Sequence, residues 1–195
     1  MNLNKNDQHD RPLFYIVAGE VSGDIIGAGV MKSLKNLTSG KARFAGVGGV
    51  HMSSEGLESL FPIDELSVLG LFELIPKIPK FLKRIRETVH DIFLKKPCAV
   101  ITIDSKGFNF RIAKQIALKQ NNETKKIKLI HMVAPTVWAW RPGRAKKIAK
   151  LFDHLLAMFP FEPAYFIPHG LKTSFVGHPA LEEKEGNADT FKKSF

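Results

Sequence analysis

The sequence predicts an α/β fold: a Rossmann-like parallel sheet with helices on both faces. Three observations predict it. Short apolar runs of strand length alternate with stretches of helical periodicity. Two of these runs, Leu13–Ala18 and Cys98–Ile103, are compact and nearly all apolar instead of apolar at every second residue, as strands buried on both faces require. Several end in glycine or in a polar turn, where a chain leaving a sheet must reverse.

The elements follow in order. Leu13–Ala18 is a compact strand closed by Gly19. Asp24–Leu37 reads as a helix with Ile25, Ala28, Leu34 and Leu37 on its apolar face. Arg43–Val47 is the next strand, ended by Gly46-Val47-Gly48-Gly49, and a short helix from Val50 stops near Gly56. Cys98–Ile103 is a buried strand entered from Pro97, and Asn109–Asn121 a helix with Ile112 and Ile116 inward. Ile127–Val133 and Asp153–Phe159 are further strands, with a mostly helical stretch over Pro135–Leu151 between them. Residues 1–11 are expected to be disordered, 12–180 to form the domain, and 181–195 to be a tail without a core pattern.

Leu66–Phe93 stands apart. An almost unbroken apolar run including Leu69, Leu71 and Phe72 meets Pro76 and Pro79, which are expected to interrupt it. Beyond them Phe81, Ile85, Val89 and Ile92 form a helical stripe beside Lys80, Lys83 and Arg84. Two readings fit: an amphipathic helix packed on the sheet, or one lying on an anionic membrane surface.

Composition narrows the function. At 195 residues, one domain is expected, and 44% hydrophobic content is ample for a core. The single Cys98 excludes an intrachain disulfide and a cysteine metal cluster. The seven histidines are scattered without metal-ligand spacing, so no metal site is expected. The opening residues lack the apolar core of a secretory signal, and no run reaches the ~18 residues of a membrane span. The net charge of +10 admits nucleic acid, a membrane or a phosphorylated substrate. No nucleic-acid motif is present, so nucleic acid is not expected as a partner.

Ligands of open α/β sheets sit beyond the carboxyl ends of the strands. After the first strand, Gly19-Glu20-Val21-Ser22-Gly23-Asp24 is a glycine-bracketed turn. It exposes backbone N–H groups at a helix start, suited to an anion or a sugar, and Ser22 or Asp24 is a candidate cap. After Ile103, Asp104 is either a turn former or a general base facing the crevice. Asn109 suits the N-cap of the helix that follows. Trp138 and Trp140 run into Arg141, a combination that binds sugars, bases or phosphates, or else one buried and one rim tryptophan on a basic helix.

Six segments together resemble the lipid-A-disaccharide synthase family, membrane-associated glycosyltransferases of the GT-B type. They are Ala18–Asp24, Leu66–Gly70 with Glu73, Ile103-Asp104 with Phe108-Asn109, Val133–Arg141, Pro160-Phe161-Glu162 and Phe175–Pro179. The resemblance implies that this chain is the N-terminal, acceptor-binding domain. It implies transfer of 2,3-diacylglucosamine from its UDP-sugar to an acylated glucosamine phosphate acceptor, with inversion and release of UDP. Asp104 takes the place of the general base, and Gly19, Glu20, Ser22, Gly23, Asp24, Asn109, Trp138 and Arg141 contact substrate. Leu69, Leu71, Phe72, Lys80, Lys83 and Arg84 would rest on the cytoplasmic face of the inner membrane. No cofactor is implied, the UDP-sugar being a substrate.

One departure is local: the family's Asp-Ala-Pro-Asp-Phe-Asn reads Asp104-Ser105-Lys106-Gly107-Phe108-Asn109 here, so the second carboxylate is missing. The other is length, since the family's nucleotide-binding half follows the Gly177-His178-Pro179 segment. That half would come from a separate polypeptide, or the chain is a catalytically incomplete acceptor- or membrane-binding domain. A homodimer is a further expected partner.

Overall fold

A computed structural model describes residues 11–66, 74–120, 127–137 and 143–178. Among these the elements run β1 (Leu13–Ala18), α1 (Val21–Leu37), β2 (Arg43–Val47), α2 (Val50–Ser54) and α3 (Leu74–Lys95). Then come β3 (Ala99–Ile103), α4 (Lys106–Gln120), β4 (Lys128–Met132) and α5 (Gly143–Ala149), followed by β5 (His154–Ala157), α6 (Pro163–Phe166) and β6 (Lys172–Phe175). The expected disordered start and the tail over 181–195 lie outside the described residues.

All six strands are parallel, in the order β2-β1-β3-β4-β5-β6. Tyr15 sits between Ala45 of β2 and Val100 of β3. The chain steps outward from β1 to β2, then returns across β1 to continue on its other side. The strand order therefore reverses between β1 and β3.

Strand side chains alternate between faces, and this divides the core in two. Tyr15, Val17, Val100, Leu129 and Leu155 pack with Ile85, Val89 and Ile92 of α3 and Phe108, Ile112 and Ile116 of α4. Ile16, Ala18, Ile101, Ile103 and Met132 face Met31 of α1 and Met52 of α2 on the other side. Each such large side chain, fully buried, contributes roughly 1.5–3 kcal/mol.

Several expected boundaries shift for physical reasons. The helix α3 runs from Leu74 straight through Pro79 instead of breaking there. Pro79 lies near the helix start on the exposed side, so it removes one backbone bond without burying a polar group. Both α1 and α4 begin three residues earlier than expected, directly after their strands. The face of α1 that enters the core is also turned: Gly23, Gly27 and Met31 are buried, while Ile25 and Leu37 are exposed. Within the stretch read as helical over Pro135–Leu151, α5 is a helix, and residues 138–142 lie outside the described ones. The strand β6 and the short α6 had no sequence signal. Lys172–Phe175 is a half-exposed edge strand, so it lacks the apolar run that marks the others.

Candidate functional site

Two loops meet where the strand order reverses. Gly19 ends β1, and a Cβ there would lie 2.2 Å from Ser105 Oγ in the loop after β3. Only glycine allows this approach. Gly23 is buried, and a Cβ there would sit 3.5 Å from the Ile103 carbonyl oxygen and from the Ala18 methyl. The first turn of α1 thus rests on the ends of both strands. Glu20 and Ser22 point outward from this turn and are exposed. Glu20 occupies the N-cap of α1 without a capping bond from its side chain.

The loop after β3 is held in an unusual conformation. Asp104 and Ser105 have φ of 48° and 41°, the left-handed region that favours glycine. The Asp104 backbone N–H donates to Met132 O at 3.0 Å, which ties the loop to the end of β4. Val133, at that same end, also has a positive φ of 74°. Asn109 is the internal staple. Its Nδ2 donates to Ile103 O at 2.8 Å, Asp104 O at 3.0 Å and Val17 O at 3.4 Å. It is fully buried, and its Oδ1 has no partner. The expected N-cap role is therefore not what it does: α4 has already begun at Lys106, and Asn109 binds back to the ends of β1 and β3. Asp104 itself stays half-buried at the crevice rim.

Asp24 has a different task from the expected cap of α1. Its buried carboxylate accepts from the backbone N–H groups of Gly49 (2.7 Å), His51 (2.9 Å) and Met52 (3.1 Å). It caps α2 across space and locks the first turn of α1 to the loop after β2. Trp138 and Arg141 lie outside the described residues, as do Leu69, Leu71 and Phe72.

On α3 the three basic residues separate. Arg84 donates to Glu65 and Glu87, both at 2.6 Å, and its guanidinium lies 4.6 Å from the Phe61 ring centre. Those bonds raise its pKa, and they hold the Glu65 carboxyl below the usual range. Lys80 and Lys83 extend into solvent, with looser pairs to Glu65 at 3.4 Å and Glu87 at 3.7 Å.

Two buried ionisable groups near the strand ends had no assigned role in the sequence. His131 of β4 shares a 2.8 Å hydrogen bond with Thr102 Oγ1 and stacks on Phe152 at 4.8 Å. Burial, with Lys106 adding repulsion, pushes its pKa down to about 3. Glu162 accepts from the N–H groups of Met158 (2.9 Å) and Phe159 (3.0 Å), closing the loop after β5. Burial pushes its carboxyl up, and these two bonds oppose the shift. The Pro160-Phe161-Glu162 segment held that signal, but a buried acceptor role needs the fold to be seen. Among the described residues no group of three His, Cys, Asp or Glu side chains is placed to hold a metal ion. No described helix is long and apolar enough to cross a membrane.

A parallel sheet with its loops gathered at the strand-order reversal defines a Rossmann-like domain whose ligand crevice lies at that reversal. The family profile of lipid-A-disaccharide synthetase matches residues 14–194, and the chain belongs to that family. The lipid-A-disaccharide synthase of Rhodospirillum centenum is 45% identical over 93% of this chain and 45% of its own length. That of Paramagnetospirillum magneticum is 49% identical over 91% of this chain and 44% of its own. The chain thus spans about half the length of these curated relatives. A solved structure of S. aureus MnaA with UDP shares the fold at a TM-score of 0.55 and 11% identity, covering 93% of this chain and 50% of that one.

Proposed function

We propose that this chain is the acceptor-binding half of a lipid-A-disaccharide synthase. The carrying observation is Asp104, held by a strained backbone at the strand-order reversal of a chain that belongs to this family. In this reading the 6-hydroxyl of an acylated glucosamine phosphate meets the Asp104 carboxylate, which takes its proton. The oxygen attacks the anomeric carbon of UDP-diacylglucosamine, the bond to UDP breaks, and the configuration inverts. Glu20 and Ser22, exposed beside Gly19, contact the acceptor's polar groups, with Trp138 and Arg141 completing the sugar-phosphate contacts. Gly23, Asp24 and Asn109 shape the site from within. No metal or other cofactor takes part.

The donor's nucleotide is held by a C-terminal half, supplied as a second polypeptide or as the continuation of this one. The protein works peripherally on the cytoplasmic face of the inner membrane. Lys80 and Lys83, with Leu69, Leu71 and Phe72, face the lipid.

A second reading has the chain bind acceptor or membrane without catalysing transfer. One assay separates the two. UDP release from both lipid substrates is measured with and without the C-terminal half of a relative. The glycosyltransferase reading expects turnover only with the added half, and its loss in Asp104→Ala with the fold intact. No turnover in any combination, or near-normal turnover by Asp104→Ala, would overturn it.

A further inference from the structure

A cavity of about 880 Å³ opens between the first turn of α1, α2 and the stretch Ser59–Asp64. Its volume lies in the ~300–1,000 Å³ range of small-molecule sites. Val21, Val50, Leu60, Phe61, Pro62 and Ile63 supply its apolar lining. Four of these remain in solvent: Pro62 is exposed, and Val21 is 60%, Val50 75% and Leu60 37% exposed. Ile25, one turn after Val21 on α1, extends the same apolar surface.

The polar groups deep in the lining are already committed. Asp24 accepts its three backbone N–H bonds. Ser59 Oγ accepts from Gly48 N and donates to Phe61 O. Ser53, Ser54 and Asp64 stand exposed at the rim, and Ser54 Oγ donates to Val50 O there. Away from the rim a ligand hydroxyl would meet Asp24 and Ser59 side chains that already hold internal bonds, whereas an unbranched aliphatic chain needs no polar partner there. The mouth is also well placed. Val21 is two residues, at most about 7 Å of chain, beyond Gly19, which abuts the Asp104–Ser105 loop.

We infer that this cavity receives an acyl chain of the sugar substrate whose hydroxyl meets Asp104. The inference rests on the glycosyltransferase reading above for the identity of that substrate. The test is calorimetric titration of the full chain with a length series of N-acylglucosamines, each below its aggregation concentration. Affinity should rise about fourfold per added methylene and level off once the cavity is filled.

Val50→Trp narrows the mouth from an exposed position and should flatten the length dependence, with at least a tenfold loss for the longest probe. Ser53→Phe adds bulk one turn further along the same face of α2 and serves if Val50→Trp shows an altered thermal midpoint. An affinity indifferent to chain length, or a length dependence that both variants leave unchanged, overturns the inference. UDP release separates the two ideas. Turnover with flat chain-length binding removes the acyl site and leaves glycosyl transfer standing; steep chain-length binding without turnover does the reverse.

Discussion

Asp104 and Ser105 hold positive φ although neither is glycine, at a cost of roughly 1–3 kcal/mol each. Asn109 offsets part of that cost by donating to three carbonyl oxygens at the ends of β1 and β3. Asn109→Asp replaces that donor with a carboxylate facing three carbonyl acceptors. It should destabilise the chain by about 3 kcal/mol or more in urea unfolding, and a loss below about 1 kcal/mol would remove Asn109 as the staple. Gly19 gives a second test. Gly19→Ala drives a methyl into Ser105, so it should lower both stability and reconstituted turnover. Ser105→Gly removes the obstacle and relieves its own φ, so the double variant should recover most of both losses. Independent, additive effects would show that the two loops do not bear on each other. The place of Asp104 at a strand end was legible in the sequence because the apolar run before it, Ala99–Ile103, has a clear end. Asn109 was legible only as a cap, because its partner Val17 lies 92 residues away and no local pattern encodes that contact.

Among the elements, α3 divides its labour by residue. Arg84 bridges the turn at Ile63–Leu66 to the helix through Glu65, and Glu87 fixes its other nitrogen. Lys80 and Lys83 are far more exposed and remain available to anionic headgroups. Lys80→Glu with Lys83→Glu should therefore reduce recovery on anionic vesicles in flotation while leaving the thermal midpoint in place. Arg84→Ala should instead lower the midpoint by about 2–4 °C. Equal membrane losses from all three positions, with no change in stability, would contradict this division. The amphipathic stripe of α3 was legible from its period. The pairing of Arg84 was not, since Glu65 sits outside the helix, and basic residues on one stripe look alike until their neighbours are placed. The same limit explains β6: β1 is bounded to the residue by an unbroken apolar run and β2 by its apolar stretch and the glycines that close it, whereas Lys172–Phe175 pairs through its backbone at the sheet edge.

Across the whole molecule, the central sheet carries a titratable group where none is comfortable. His131 lies fully buried between β3, α4 and Phe152, with its Nε2 unpartnered. Its pKa falls from 6.5 in the unfolded chain to about 3 in the folded one. Between those values the unfolded state binds the extra proton, so stability is complete above pH 6.5 and declines as the pH falls. The loss accumulates to about 4–5 kcal/mol by pH 3, a large share of the ~5–15 kcal/mol typical of a domain. His154 is shifted in the same direction by burial and Lys172, so it adds to the decline. Glu162 is shifted upward, so its charged form is the disfavoured one and acid relieves it. Subtracting profiles isolates His131 from both. His131→Phe keeps a ring against Phe152, and Thr102 Oγ1 retains Ile130 O at 3.3 Å as an acceptor. Urea unfolding free energies of the two proteins at stepped pH should run parallel above about pH 7, and below pH 6.5 the native chain should lose stability faster than His131→Phe. Profiles that stay parallel down to pH 4 would mean that His131 is hydrated or paired in the folded chain, and that acid unfolds it through its carboxylates.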